Sequence, residues 1–183
     1  MVRVAINGFG RIGRNIVRAL YERPELREKI QIVAINDLGS LEISAHLLQF
    51  DTVHGRFNQQ VEVTDNAIII NGDVINWSSE RNPTDLPWAD LNVDLVCECT
   101  GVFTSREKAA MHLEAGAKKV IISAPGAGAD ATIVYGVNDH VLDGSQEIIS
   151  NASCTTNCLA PMVQPLQESI GILSGYMTTV HAY

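Results

Sequence analysis

A glycine turn, Gly8-Phe9-Gly10-Arg11-Ile12-Gly13, separates an apolar run, Val2 to Ile6, from an amphipathic stretch, Arg11 to Tyr21. That stretch places Ile12, Ile16, Val17 and Leu20 on one face at helical spacing. A strand, a GxGxxG and a helix in immediate succession admit few folds. Gly8 permits the tight turn, Gly10 lets a pyrophosphate approach the backbone, and Gly13 allows the helix to pack closely on the strand. The helix start then presents unpaired N–H groups and the positive end of its dipole to phosphates.

The alternation continues along the chain. Ile30 to Ile35, Asp94 to Cys97 and Lys119 to Ile122 read as strands buried on both faces. Ser105 to Ala115 reads as a helix with Ala109 and Leu113 inward, and Thr104 with Glu107 forms a capping-box start. Strands separated by helices predict a doubly wound, mostly parallel sheet with helices on both faces. One segment departs from this. Val61 to Val63, Ala67 to Ile70 and Val74 to Trp77 are divided by Thr64-Asp65-Asn66 and Asn71-Gly72-Asp73, which predicts a small antiparallel insertion.

Composition narrows the function classes. The 183 residues are 46% hydrophobic and 19% charged, a globular balance with room for one full domain and a remainder. Thirteen Lys and Arg against 21 Asp and Glu give a net charge of -8, which disfavours nucleic acid as a partner. No apolar run approaches the ~20 residues of a membrane span, and four cysteines without paired CxxC spacing fit a reducing, cytoplasmic setting.

The second strand ends at Asn36-Asp37, about 20 residues beyond the glycines, where a carboxylate accepts from the adenosine ribose hydroxyls. That selects NAD over a 2′-phosphorylated dinucleotide. An Asx turn is the alternative role for Asp37 and does not exclude the first. Thr100-Gly101 and Ser123 end later strands at the carboxyl edge, where open α/β sheets bind ligands.

Asn151-Ala152-Ser153-Cys154-Thr155-Thr156-Asn157-Cys158 precedes Leu159, Met162, Val163, Leu166 and Ile170 at helical spacing. Ser153 falls near the N-cap and Cys154 in the first turn, where positive potential favours the nucleophilic thiolate. Ser153, Thr155 and the helix-start amides suit a phosphate or an oxyanion. Pro161 and Pro165 each remove a backbone donor from that helix. Cys97, Cys99 and Cys158 read as buried packing. A last strand, Tyr176 to Ala182, carries His181, a base for Cys154 if the two meet; spacing leaves that open. His46, His54, His112 and His140 read as surface or packing residues.

Ala5 to Arg14, Asn36-Asp37, His54 to Phe57, Glu98 to Gly101, Ser153 to Asn157 and Thr179 to Tyr183 together resemble the phosphorylating glyceraldehyde-3-phosphate dehydrogenases, in order and over the whole chain. The resemblance implies that Cys154 is the nucleophile and His181 its base. It gives the Arg11 and Ile12 main-chain N–H groups to the pyrophosphate and Asp37 to the ribose, and it sets Arg81, Thr100 and Ser123 near NAD. Ser153 and Thr155 fall where that family binds the attacking phosphate. It also implies a homotetramer, with residues 1–152 as the NAD-binding domain and 153–183 as the start of a catalytic domain.

The implied reaction is oxidation of glyceraldehyde 3-phosphate to an acyl thioester on Cys154, released by inorganic phosphate. Family members continue past the His-Ala-Tyr motif to a threonine and an arginine that grip the substrate phosphate, and to a carboxy-terminal helix. The chain alone is therefore expected to be inactive. Two alternatives are kept. Erythrose-4-phosphate dehydrogenases share these motifs, although Ser usually follows their histidine where this chain has Ala182; a non-catalytic NAD-binding module is the other.

Overall fold

The computed structural model describes residues 1–181. Strand β1 (Val2–Asn7) leads into helix α1 (Arg11–Tyr21), the short α2 (Pro24–Arg27), β2 (Ile30–Asn36) and α3 (Leu41–Gln49). A two-stranded ribbon, β3 (Phe50–Asp51) and β4 (Gly55–Arg56), precedes β5 (Val61–Val63), β6 (Ala67–Ile70) and β7 (Asp73–Ser78). Then follow β8 (Leu95–Glu98), α4 (Arg106–Ala109), α5 (Met111–Glu114), β9 (Lys119–Ile122), β10 (Ala131–Thr132), β11 (Ile148–Ser150) and α6 (Cys154–Ser169).

Nine strands form one sheet in the order β10-β11-β9-β8-β1-β2-β7-β6-β5. β1 is parallel to both β2 and β8. The chain thus winds outward from β1 to β2 and later returns to β1's other side, which opens a crevice at the carboxyl end of β1. The predicted insertion is antiparallel from β5 through β7, but it is not a separate sheet: β7 lies parallel to β2 and extends the main sheet. Asn71 and Gly72, at φ 52° and 90°, make the tight turn between β6 and β7.

Successive strand residues feed opposite faces of the sheet. Ile6 and Ile35 join one cluster with Val17, Leu20, Leu48 and Ile68, under α1 and α3. Ala5 and Ala34 join the other with Trp88, Val96, Ala109, Val120 and Ile148. Burial of both faces explains the near-continuous apolar runs.

Four local expectations change. Ser105, not Thr104, caps α4, its Oγ accepting from Lys108 N at 3.3 Å. The Thr104 carbonyl accepts from Ala127 N at 3.0 Å, and that pairing keeps the chain extended up to Ser105. The helix expected over 105–115 is interrupted at Ala110, where Leu113 N reaches back three residues to Ala110 O. Ile12 is 52% exposed, because the first turn of α1 stands beyond the strand ends. Tyr176–His181 is not a strand, since a strand exists through its partners and among the described residues none pairs with it; Ala182, the expected last residue of that strand, lies outside the described residues.

Candidate functional site

Each glycine of the turn has its own geometry. Gly8 sits at φ +91°, and a Cβ there would lie 2.7 Å from Thr100 N. A Cβ on Gly13 would lie 2.3 Å from Gly8 O, so α1 is packed directly on the turn. Gly10 has nothing within 4 Å of that position and opens onto a cleft. Arg14 N bonds Gly10 O at 3.1 Å as the first paired amide of α1, which leaves the earlier first-turn N–H groups, including those of Arg11 and Ile12, for a ligand. The Arg11 side chain turns away to Asp51, 2.9 Å distant. The two amides bonded to the Asp51 carboxylate, from His54 and Val53, together with Arg11, hold its pKa well below the usual range.

The cleft at Gly10 measures about 320 Å³ and collects Gly8, Asp37, Arg81 and Thr100 from four separate strand ends. Asp37 Oδ2 accepts from Phe9 N at 2.6 Å and Oδ1 from Gly39 N at 2.7 Å. The Asx-turn role and the cleft role therefore coexist. Gly101, at φ +74°, turns the chain just after Thr100. Sequence reasoning missed Asn7, Asn36, Glu80 and Phe103, which also line this cleft. Asn7 and Asn36 end parallel strands beside Gly8 and Asp37, and that placement was the available signal. An open glycine, a carboxylate and an arginine in one cleft, next to the free helix-start amides of α1, fit a dinucleotide.

A second cleft of about 350 Å³ joins Ile12, Cys97, Ser123, Asn151, Cys154 and Asn157. The start of α1 thus presents its N-cap, Gly10, to one cleft and Ile12 to the other. Cys154 is the first residue of α6 and is exposed. Ser153 is the N-cap as predicted, its Oγ accepting from Thr156 N at 3.0 Å. Thr155 faces a shallow depression with Leu159 and Met177.

Before α6 the backbone is strained: Ala152 is buried at φ 55°. Ser150 Oγ holds that turn, donating to Ala124 O at 2.8 Å while accepting from Gly126 N at 3.0 Å and Ala152 N at 3.1 Å. The segment leading into α6 is thereby tied to the end of β11.

The structure does not bring every expected group together. His181 is absent from the lining of the Cys154 cleft; its Nε2 lies 3.2 Å from Thr179 Oγ1. Cys158 is exposed rather than packed, because no described residue of α6 is buried. Cys97 and Cys99 do pack against the core. Burial pushes the Cys97 thiol up to about 12 and the Cys99 thiol up to about 11, the latter against a hydrogen bond with Ser123 that works downward.

A doubly wound sheet whose central strand ends in a glycine turn over an acid-lined cleft defines the dinucleotide-binding class of α/β domains. Residues 2–106 match the family model described as glyceraldehyde 3-phosphate dehydrogenase, NAD binding domain, and residues 153–183 match the same family's C-terminal domain. The chain belongs to the glyceraldehyde 3-phosphate dehydrogenase family. It is 61% identical over 183 residues to the chromosomal glyceraldehyde-3-phosphate dehydrogenase of Cupriavidus necator, and 59% identical over 182 residues to that of Pseudomonas aeruginosa. It is 55% identical over 183 residues to that of Thermotoga maritima. Each alignment covers the whole chain and 54% of the relative, so the chain spans about half the length of the curated relatives it matches.

Proposed function

We propose that this chain supplies the NAD site and the nucleophile of an enzyme that oxidises glyceraldehyde 3-phosphate with inorganic phosphate. Residues 1–152 form the cofactor domain and residues 153–183 begin the catalytic one. The observation that carries the reading is that Cys154 and Ile12 line one cleft, so the thiol stands beside the helix whose first turn receives the pyrophosphate. NAD, when bound, supplies a hydride acceptor.

The remaining chemistry belongs to side chains. Cys154 Sγ adds to the aldehyde carbon, and the hydroxyl proton of the resulting thiohemiacetal passes to His181 once the assembled enzyme brings that ring to the thiol. The helix-start amides of α6 stabilise charge on the carbonyl oxygen. After oxidation the thioester is attacked by phosphate held by Ser153 and Thr155, which frees the thiolate and releases an acyl phosphate. The whole enzyme is read as a homotetramer of the cytoplasm, a setting that suits four free thiols.

The test uses an enzyme of the relatives' length carrying these residues. NADH formation from glyceraldehyde 3-phosphate, saturable in phosphate and abolished by Cys154→Ser, supports the reading. Faster, phosphate-independent oxidation of erythrose 4-phosphate would replace it.

A further inference from the structure

A chain of buried polar side chains runs beneath the first cleft, and the reaction just described uses none of its members on substrate. Glu98 and His112, 1% and 0% exposed, stand at its centre. The Trp88 indole N–H donates to His112 Nδ1 at 3.0 Å. An indole nitrogen only donates, so Nδ1 is the acceptor and the ring proton resides on Nε2. His112 Nε2 donates to Glu98 Oε2 at 2.9 Å, and the same oxygen accepts from Asn7 Nδ2 at 2.6 Å. Glu98 Oε1 accepts from Thr100 N at 2.8 Å and from the Thr100 hydroxyl. Four donors and no acceptor surround this carboxyl, the pattern of a carboxylate.

The network reaches both walls of the cleft. On one side Thr100 Oγ1 accepts from Val102 N at 3.1 Å. On the other, Asn7 Oδ1 accepts from Asn36 Nδ2 at 2.7 Å, and Asn36 exchanges bonds of 2.8 and 2.9 Å with the Glu80 backbone. Asn7, Asn36, Glu80, Thr100 and Val102 all line the cleft, whereas His112 and Trp88 lie behind it. Among the described residues no lysine or arginine pairs with Glu98, and His112 with Nδ1 as acceptor brings it a hydrogen bond rather than a positive charge. Burying a carboxylate without a lysine or arginine is costly, and an apolar side chain would fill the space at lower cost if packing were the only demand.

We propose that Glu98, oriented by His112, is a positioning residue of the cofactor site: its carboxylate sets the Thr100–Val102 wall and the Asn7–Asn36–Glu80 wall at the separation NAD requires. The proposal rests on the NAD reading above. Because Thr100 spends its hydroxyl proton on Glu98, its place in the cleft depends on a residue that never touches the ligand.

The experiment is calorimetric titration of the 183-residue chain with NAD, at a temperature where circular dichroism shows each variant equally folded. Glu98→Gln places an amide against two donors and is expected to weaken NAD binding about tenfold, the equivalent of one charge-assisted hydrogen bond. His112→Phe gives a similar loss. His112→Gln restores affinity to within about twofold, because a glutamine amide can both accept from Trp88 and donate to Glu98. Thr100→Val weakens binding by itself, and combined with Glu98→Gln costs no more than Glu98→Gln alone. A merely structural role lowers melting temperature and produces neither the glutamine rescue nor this non-additivity. If Glu98→Gln fails to fold, the His112 pair and Thr100→Val decide. Unchanged affinity in the folded variants, or losses that multiply in the double variant, overturns the proposal. Failure of the wild-type chain to bind NAD overturns the cofactor reading itself, and the proposal with it.

Discussion

Phe9 N–H donates to Asp37 Oδ2 at 2.6 Å, so the acidic residue at the end of β2 holds the glycine turn at the end of β1. The two halves of the dinucleotide signature are one hydrogen-bonded unit before any ligand arrives. Removing the carboxylate therefore disturbs the phosphate-binding turn as well as ribose recognition.

From this, Asp37→Ala is expected to weaken NAD binding at least tenfold, about the value of a hydrogen bond to a charged group. The wild-type chain is expected to prefer NAD to NADP, whose 2′-phosphate meets the carboxylate. Titration with both dinucleotides checks it: equal affinities, or an unaltered Asp37→Ala, would contradict the assignment.

Gly10 and Gly13 should respond oppositely to alanine. Gly10→Ala has open space and an ordinary φ of -70°, so the melting temperature is kept while NAD affinity falls. Gly13→Ala forces a Cβ to 2.3 Å from Gly8 O and is expected to cost about 1–3 kcal/mol through overpacking. Thermal melts and NAD titrations of the two variants separate the roles.

Thiol reactivity should divide by burial. Near neutral pH a limiting alkylating agent is expected to label Cys154 first and Cys158 next, both exposed. Cys97 and Cys99, pushed up to about 12 and about 11, stay protonated and unlabelled. Peptide mapping reads the order. Since His181 is not in the Cys154 cleft, His181→Asn should leave the alkylation rate of this chain unchanged, and the chain should bind NAD without turning over glyceraldehyde 3-phosphate.

The same two thiols predict an alkaline limit to stability. Their folded values lie above the reference of 9.0, so the native state keeps protons that the unfolded chain releases. The stabilisation is fully present below pH 9 and is lost as pH rises through about 11 to about 12. Denaturant midpoints measured between pH 8 and 11 should fall, and the fall should be shallower in Cys97→Ala. An unchanged slope in that variant would remove Cys97 from the explanation.

Much of this molecule was legible before its coordinates. The run Lys119 to Ile122 is a strand with those same ends, and α1 spans Arg11–Tyr21 as its periodicity indicates. Capping and termination were less legible. Thr104 and Ser105 are chemically equivalent caps, and the choice between them fell to a pairing with Ala127, over 20 residues away. The Tyr176 to His181 segment has strand composition, but β structure is a property of two chain segments, and composition reports only one.

The sequence by itself determined what depends on neighbours along the chain: the glycine turn, the strand and helix periods, and a cysteine one residue past an N-cap. Tertiary structure alone decided what depends on residues far apart in the chain. It turned His112, unremarkable on a short amphipathic segment, into a buried partner of Glu98 and Trp88, and it joined Asn7, Asn36 and Glu80 into one wall of a cleft. Local spacing encodes φ, ψ and which face a side chain takes; which two faces meet is set by how the sheet winds, and only that meeting makes a histidine's proton point at a particular carboxylate.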